Sequence, residues 1–162
     1  MTGSLREYFA KERYVLLDTN LLVLLIVGQV RPNLLPRLSP GKYSFAIDDF
    51  EILKRIVAQF EQAVTTPYLL TEVSSILGKL DHNSMMECRA KLAEYLPALD
   101  CRYTGSDKLA QEAEFVRFGI ADVSIFRASN ETPFVTEDCP LIGLLQNRCS
   151  VLNYEAAKQM VA

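Results

Sequence analysis

Asp18 closes the apolar run Tyr14-Val15-Leu16-Leu17 and opens Asp18-Thr19-Asn20. Glu72 lies in Thr66-Pro67-Tyr68-Leu69-Leu70-Thr71-Glu72-Val73, Asp122 follows Phe118-Gly119-Ile120-Ala121, and Asp138 closes Pro133-Phe134-Val135-Thr136-Glu137-Asp138. Carboxylates placed just beyond buried strands face the crevice in which open α/β sheets hold their ligands. Two like charges about 4 Å apart repel by roughly 4 kcal/mol at an effective dielectric of about 20. Acids gathered in one crevice therefore raise one another's pKa values or hold the crevice open. Mg²⁺ or Mn²⁺, which take hard oxygen ligands, removes that penalty. Either ion lowers the pKa of a bound water and stabilises the leaving oxygen of a phosphodiester. The set implies metal-dependent phosphodiester chemistry.

Each acid alone has a plainer role. Asp18, Asp122 and Asp138 can each cap the helix that follows, which aspartate does well. Glu72 can be a solvated helix residue. Their joint occurrence at strand-to-helix or loop-to-helix junctions and on one helix edge is what capping alone need not assemble.

The elements that must position them follow from periodicity and punctuation. Ser4 caps a short helix over Leu5 to Lys11, and Tyr14 to Leu17 is a strand apolar on both faces, as a central parallel strand is. Leu21 to Val27 is apolar all round and reads as a buried helix. Pro32, Pro36, Pro40 and Gly41 mark a long proline-rich loop at about 29–46. Asp48 with Glu51 resembles a capping box, ahead of the stripe Phe50, Leu53, Ile56, Val57 and Phe60. After a strand at Ala63 to Thr65, Thr66-Pro67 starts a helix with Leu69, Val73, Ile76, Leu77 and Leu80 on one face and Glu72 near its edge. Helices over Ser84 to Leu96 and Asp107 to Arg117 flank a strand at Leu99 to Tyr103, with Gly119 as a helix stop. The last third alternates a helix from Asp122, a strand at Phe134 to Thr136, a helix at Pro140 to Gln146, a strand at Ser150 to Asn153 and a tail helix. The alternation predicts an α/β fold, a three-layer α/β/α sandwich about a central, mostly parallel sheet.

The 162 residues fit one domain spanning 1–162, and 49% hydrophobic with 23% charged residues is a globular composition. A net charge of -3 gives no overall pull toward nucleic acid. From Thr19 to Ile47, however, there is no Asp or Glu, and Arg31, Arg37 and Lys42 are the charged residues. They are candidates for an RNA-binding rim at the crevice, against the plainer view of a solvated loop. Cys88, Cys101, Cys139 and Cys149 form no CxxC pair and no zinc-like spacing with His82. Unpaired thiols, no signal-like start and no run of roughly 20 apolar residues predict a cytoplasmic protein with no membrane span. Neither GxxxxGK[ST] nor GxGxxG occurs, which excludes the common phosphate-cradling loops. His82 has no nucleophile motif beside it. A haloacid-type phosphatase needs Asp-x-Asp where this chain has Asp18-Thr19-Asn20.

Asp18-Thr19-Asn20 after a hydrophobic strand, Thr71 to Ser74, Gly119-Ile120-Ala121-Asp122-Val123-Ser124-Ile125, Phe134-Val135-Thr136-Glu137-Asp138 and the closing Ser150 to Tyr154 occur in the order seen in PIN domains. The chain resembles that family from about Tyr14 to Tyr154. The resemblance implies an α/β/α ribonuclease cutting RNA with Mg²⁺ or Mn²⁺, Asp18, Glu72, Asp122 and Asp138 being the catalytic and metal-binding quartet. By the same resemblance Asn20 and Thr136 orient the carboxylates, and Glu72 holds a metal-bound water or a second ion. Glu137 is expected to be a bystander, since strand alternation turns it away from Asp138. Many bacterial members are VapC-type toxins neutralised by a small partner, so an antitoxin-like protein joins the RNA substrate among expected partners. A homodimer through Leu21 to Val27 and the adjoining loop is another. The rival to hydrolysis is a PIN-like module that binds RNA or protein without cutting. The proline-rich segment is longer than the corresponding connection in many small toxins.

Overall fold

The computed structural model describes residues 7, 11–38, 45–130 and 132–161. The expected helix over Leu5 to Lys11 therefore lies largely outside the described residues, as does Lys42. Strands β1 (Tyr14–Leu17), β2 (Gln62–Thr65), β3 (Asp100–Cys101), β4 (Phe134–Thr136) and β5 (Val151–Asn153) form one all-parallel sheet in the order β3-β2-β1-β4-β5. The central strand registers Leu16 against Val64 on one side and against Phe134 on the other. Between β1 and β4 the strand order reverses direction, and in such sheets the ligand crevice opens at that point.

The uninterrupted apolar sequence of β1 is explained by the two layers that cover it. Val15 and Leu17 belong to one buried core with Ala63, Val135 and Leu152, whereas Leu16 joins Val64 and Phe134 in a second. The first core is closed by α1 (Thr19–Val30), α2 (Ile47–Val57), α4 (His82–Tyr95) and α8 (Tyr154–Val161). The second is closed by α6 (Phe115–Ala128) and α7 (Cys139–Leu145). Alternating residues of β1 thus point into different cores. Helix α3 (Pro67–Leu77) gives Leu69 to the second core and Val73 and Leu77 to the first, so it straddles the sheet end between α1 and α6. This three-layer α/β/α arrangement is the one the alternation predicted.

Several local expectations change. The segment after α1 is not all loop, because Pro32–Arg37 makes a 3₁₀ helix that buries Leu35 completely. Proline fits the first position of such a turn, where its missing N–H has no partner to lose. At α2 the Asp48–Glu51 box does not form. Asp49 Oδ2 instead accepts from the Ala46 N–H at 2.7 Å, and Glu51 pairs with Lys54. The helix expected over Asp107 to Arg117 is replaced by α5 (Ser106–Leu109), a turn, and the start of α6. Leu109 is buried, but Val116 is 97% exposed, so no apolar stripe continues to hold one helix against the core. Gly119, at φ 82° and ψ 177°, breaks α6 into two segments. Leu21 to Val27 is buried within the chain beneath α2, α3, α4 and the 3₁₀ turn, so that run offers no dimer face. Among the described residues no helix is long and apolar enough to cross a membrane.

The packing of α1 on α2 is close enough to require glycine. A Cβ at Gly28 would lie 2.4 Å from Phe50 Cδ2. Gly28→Val should cost about 1–3 kcal/mol, the usual penalty for overfilling a packed core. At Gly143, in α7, an added Cβ meets nothing within 4 Å, and Gly143→Ala should gain about 0.5–1 kcal/mol from helix propensity. Urea midpoints of the two variants should move in opposite directions.

Candidate functional site

The strand ends dictate where the first carboxylate sits. Asp18 follows β1 and is the N-cap of α1, its Oδ1 accepting from the Leu21 N–H at 2.8 Å. Its Oδ2 accepts from Thr136 Oγ1 at 2.5 Å and from the Glu137 N–H at 3.2 Å. The Asp18 N–H in turn donates to Val135 O at 3.3 Å, so β1 and β4 meet at this residue. Thr136 is fully buried and also accepts from the Asp138 N–H at 2.9 Å, which fixes the start of α7. Asp138 caps α7 through Leu141. For these two acids the capping role and the place in the crevice are the same position, because each helix begins where a parallel strand ends. The positive end of the α1 dipole lies at Asp18 and favours negative charge there.

Glu72 and Asp122 come from helices. Thr66 caps α3 and its hydroxyl lies 2.7 Å from Ser124 Oγ, which donates to Ala121 O at 2.6 Å. This buried hydroxyl pair clamps α3 to α6, and the clamp sets Glu72 opposite Asp122. Glu72 Oε2 accepts from Thr19 Oγ1 at 2.7 Å. Asp122 is not a cap. It stands in the first turn of the helical segment that resumes after Gly119.

All four acids line one cleft of about 380 Å³, together with Thr19 and Asn20, at the sheet's switch point. Asn20 lines the cleft, but the hydroxyls that hold carboxylates belong to Thr136 and Thr19. Nothing in Asp18-Thr19-Asn20 signals a role for Thr19, and Ser124 is legible in the sequence only as a polar residue at a buried helix position. Glu137 turns away, as alternation required. The residue is 5% exposed, does not line the cleft, and has Asp18, Glu155, Lys158 and Asp49 as charged neighbours. Its backbone N–H nevertheless serves the site through Asp18.

Two residues of the expected basic rim, Arg31 and Arg37, lie away from the cleft, and Lys42 lies outside the described residues. Arg31 lies at the far end of the 12-residue α1 from Asp18, about 18 Å along the axis at the standard rise. There it makes a paired contact to Glu87, with both nitrogens at 2.8 Å from the carboxylate oxygens. Arg37 ends the 3₁₀ turn and does not line the cleft. Charge counting along the chain could not see that a helix length separates these residues from the acids.

Burial raises the pKa of Asp18 above the ordinary carboxylate range, against the lowering effect of its hydrogen bonds to Thr136, Leu21 and Glu137. Asp122 is raised from 3.8 to about 6, first by burial and then by the charges of Glu72, Asp138 and Asp18. Glu137 is raised to about 7, again chiefly by burial. Among the described residues, no three acids, histidines or cysteines stand together as a finished metal-ligand group. Glu72 and Asp138 are exposed and each has one carboxylate oxygen held, by Thr19 and by the Leu141 N–H, whereas both oxygens of buried Asp18 are held. The oxygen-only donor set and its mutual repulsion suit a hard divalent cation. Neither His82 nor any cysteine lines the cleft, so soft-metal coordination has no ligands here. No protein-family model matches the chain, and no curated protein matches it.

The raised pKa values make a stability prediction. A folded carboxyl that holds its proton more tightly than the unfolded one costs stability as pH rises. With chelator present, the melting temperature should fall as pH rises from 3.8 through about 6 as Asp122 ionises, with Glu137 extending the fall toward about 7. Asp122→Asn should flatten the first part and melt roughly 2–4 °C higher at neutral pH, equivalent to about 1 kcal/mol after allowing for solvent screening. Millimolar Mg²⁺ or Mn²⁺ should raise the wild-type melting temperature more than that of the variant.

Proposed function

We propose that this protein is a metal-dependent endoribonuclease that hydrolyses RNA phosphodiester bonds using Mg²⁺ or Mn²⁺. The observation that carries the proposal is the convergence of Asp18, Glu72, Asp122 and Asp138, from separate elements, on one cleft at the switch point of a parallel sheet. RNA as the substrate comes from the PIN-domain resemblance of the motifs that hold these residues. A divalent cation bound there supplies a water of lowered pKa and neutralises charge developing on the phosphoryl oxygens.

The chain's own residues have distinct tasks in this reading. Asp18 is the rigid anchor, since Thr136, Leu21 and Glu137 fix both of its oxygens. Asp138 is set by the Thr136 hydroxyl and approaches from the start of α7. Asp122, from α6, adds a carboxylate to the cleft beside Glu72 and Asp138, available to hold a cation or its bound water. Glu72, steered by Thr19, closes the cleft from α3 and has one carboxylate oxygen to spare for water.

Purified protein should cleave labelled single-stranded RNA in Mn²⁺ and lose this activity in EDTA. Asp18→Asn and Asp122→Asn should each reduce the rate about a hundredfold or more, the scale on which removal of one electrostatic group acts, while remaining folded by circular dichroism. Wild-type rates in either folded variant would contradict the assignment.

A further inference from the structure

Beside the acidic cleft lies a second hollow, of about 260 Å³, whose walls include Tyr68, Thr71, Phe118 and Gly119. It shares Glu72 and Asp122 with the cleft, so a molecule crossing from one to the other stays in contact with the same two acids. The hollow falls below the usual span of small-molecule pockets, about 300–1,000 Å³, and suits one small planar group better than a whole oligomer.

Two of the residues that line it are aromatic, Tyr68 and Phe118. The Tyr68 ring is held by its hydroxyl, which donates to Thr104 O at 2.8 Å, and is stacked on Tyr103 with 6.5 Å between centroids and 17° between planes. Tyr103 is itself 72% exposed. Phe118 stands on the opposite segment, with the Arg117 guanidinium 5.0 Å from its ring centroid. Between these walls runs the backbone at Gly119, whose φ of +82° excludes most side chains and where an added Cβ would meet nothing within 4 Å. A bare peptide plane between aromatic rings is a surface on which another ring can lie. An aliphatic side chain would fill the hollow without using any of these faces.

We propose that this hollow seats a nucleobase of single-stranded RNA, next to the phosphodiester held in the acidic cleft. The proposal rests on the ribonuclease reading for the position of the phosphate. A base paired in a duplex has its faces covered by its neighbours, so only an unpaired base can enter. Stacking on one aromatic side chain strengthens single-strand binding about five- to a hundredfold, independently of base identity. The site therefore selects single strands more than sequences.

The test compares a short mixed-sequence single-stranded RNA with the same strand lacking all its bases, titrated into ¹⁵N-labelled protein with Mg²⁺ in the cold. The intact strand should shift amide signals of Tyr68, Thr71, Gly119 and Ile120 as well as those of Asp18 to Asn20. The abasic strand should shift only the latter group and bind about tenfold more weakly. Tyr68→Leu keeps apolar bulk without a ring face; it should lose the same factor toward the intact strand and nothing toward the abasic one. Equal affinity of the two strands for wild type, or unmoved signals in the hollow, would overturn the base site. If RNA is cleaved while binding ignores the bases, the base site falls and the ribonuclease reading stands. Base-dependent binding without hydrolysis keeps the base site and removes the hydrolytic reading, and failure of both strands to bind overturns both.

Discussion

The buried carboxylate of Asp18 governs this structure more than any other single group. At 8% exposure it has lost most of its water, and a desolvated charge must be met by donors or neutralised. The donors come from three places: the first turn of α1, the Thr136 hydroxyl and the Glu137 backbone. Meeting them requires β1 and β4 to lie side by side with Leu17 against Val135. The sheet's reversal point, the start of α1 and the start of α7 are thereby brought to one place. A crevice exists there because two helices depart in different directions from adjacent strands.

The remaining acids bring the opposite problem. Glu72, Asp122 and Asp138 add negative charge around a carboxylate already short of solvent, and the pKa of Asp122 is raised first by its own burial and then by its acidic neighbours. Apolar packing elsewhere must hold them there. The Thr66–Ser124 hydroxyl pair and the burial of Leu69, Val73 and Leu77 keep α3 in place across the sheet end. A fold that spends packing energy to gather like charges is under stress at the site, and a hard cation is the ordinary means of relieving it.

Much of this was legible in the chain. Strands β1, β2, β4 and β5 announce themselves as short apolar runs, and Thr66-Pro67 marks the start of α3. The four acids were visible because each lies at an element end or edge, where sequence punctuation is strongest. What the sequence does not carry is distance through space. Arg31 and Asp18 bracket one apolar helix, so their separation follows once its length is known, yet charge patterning placed both at the cleft. The roles of Thr19 and Thr136 depend on which carboxylate each hydroxyl meets, a matter of strand pairing and helix packing. The break at Gly119 depends on where α6 finds its core, and the loss of an apolar stripe between Leu109 and Val116 is clear only once Val116 is seen exposed.

Whether the gathered carboxylates bind a divalent cation is the claim on which the functional account stands. A crystal structure of the protein soaked in Mn²⁺, with data collected to reveal manganese by its anomalous scattering, addresses it directly. The account predicts an anomalous peak in the cleft, coordinated by Asp18, Asp122 or Asp138 directly or through water, with Glu72 turned toward it. Manganese bound elsewhere on the protein while the cleft stays empty would contradict it.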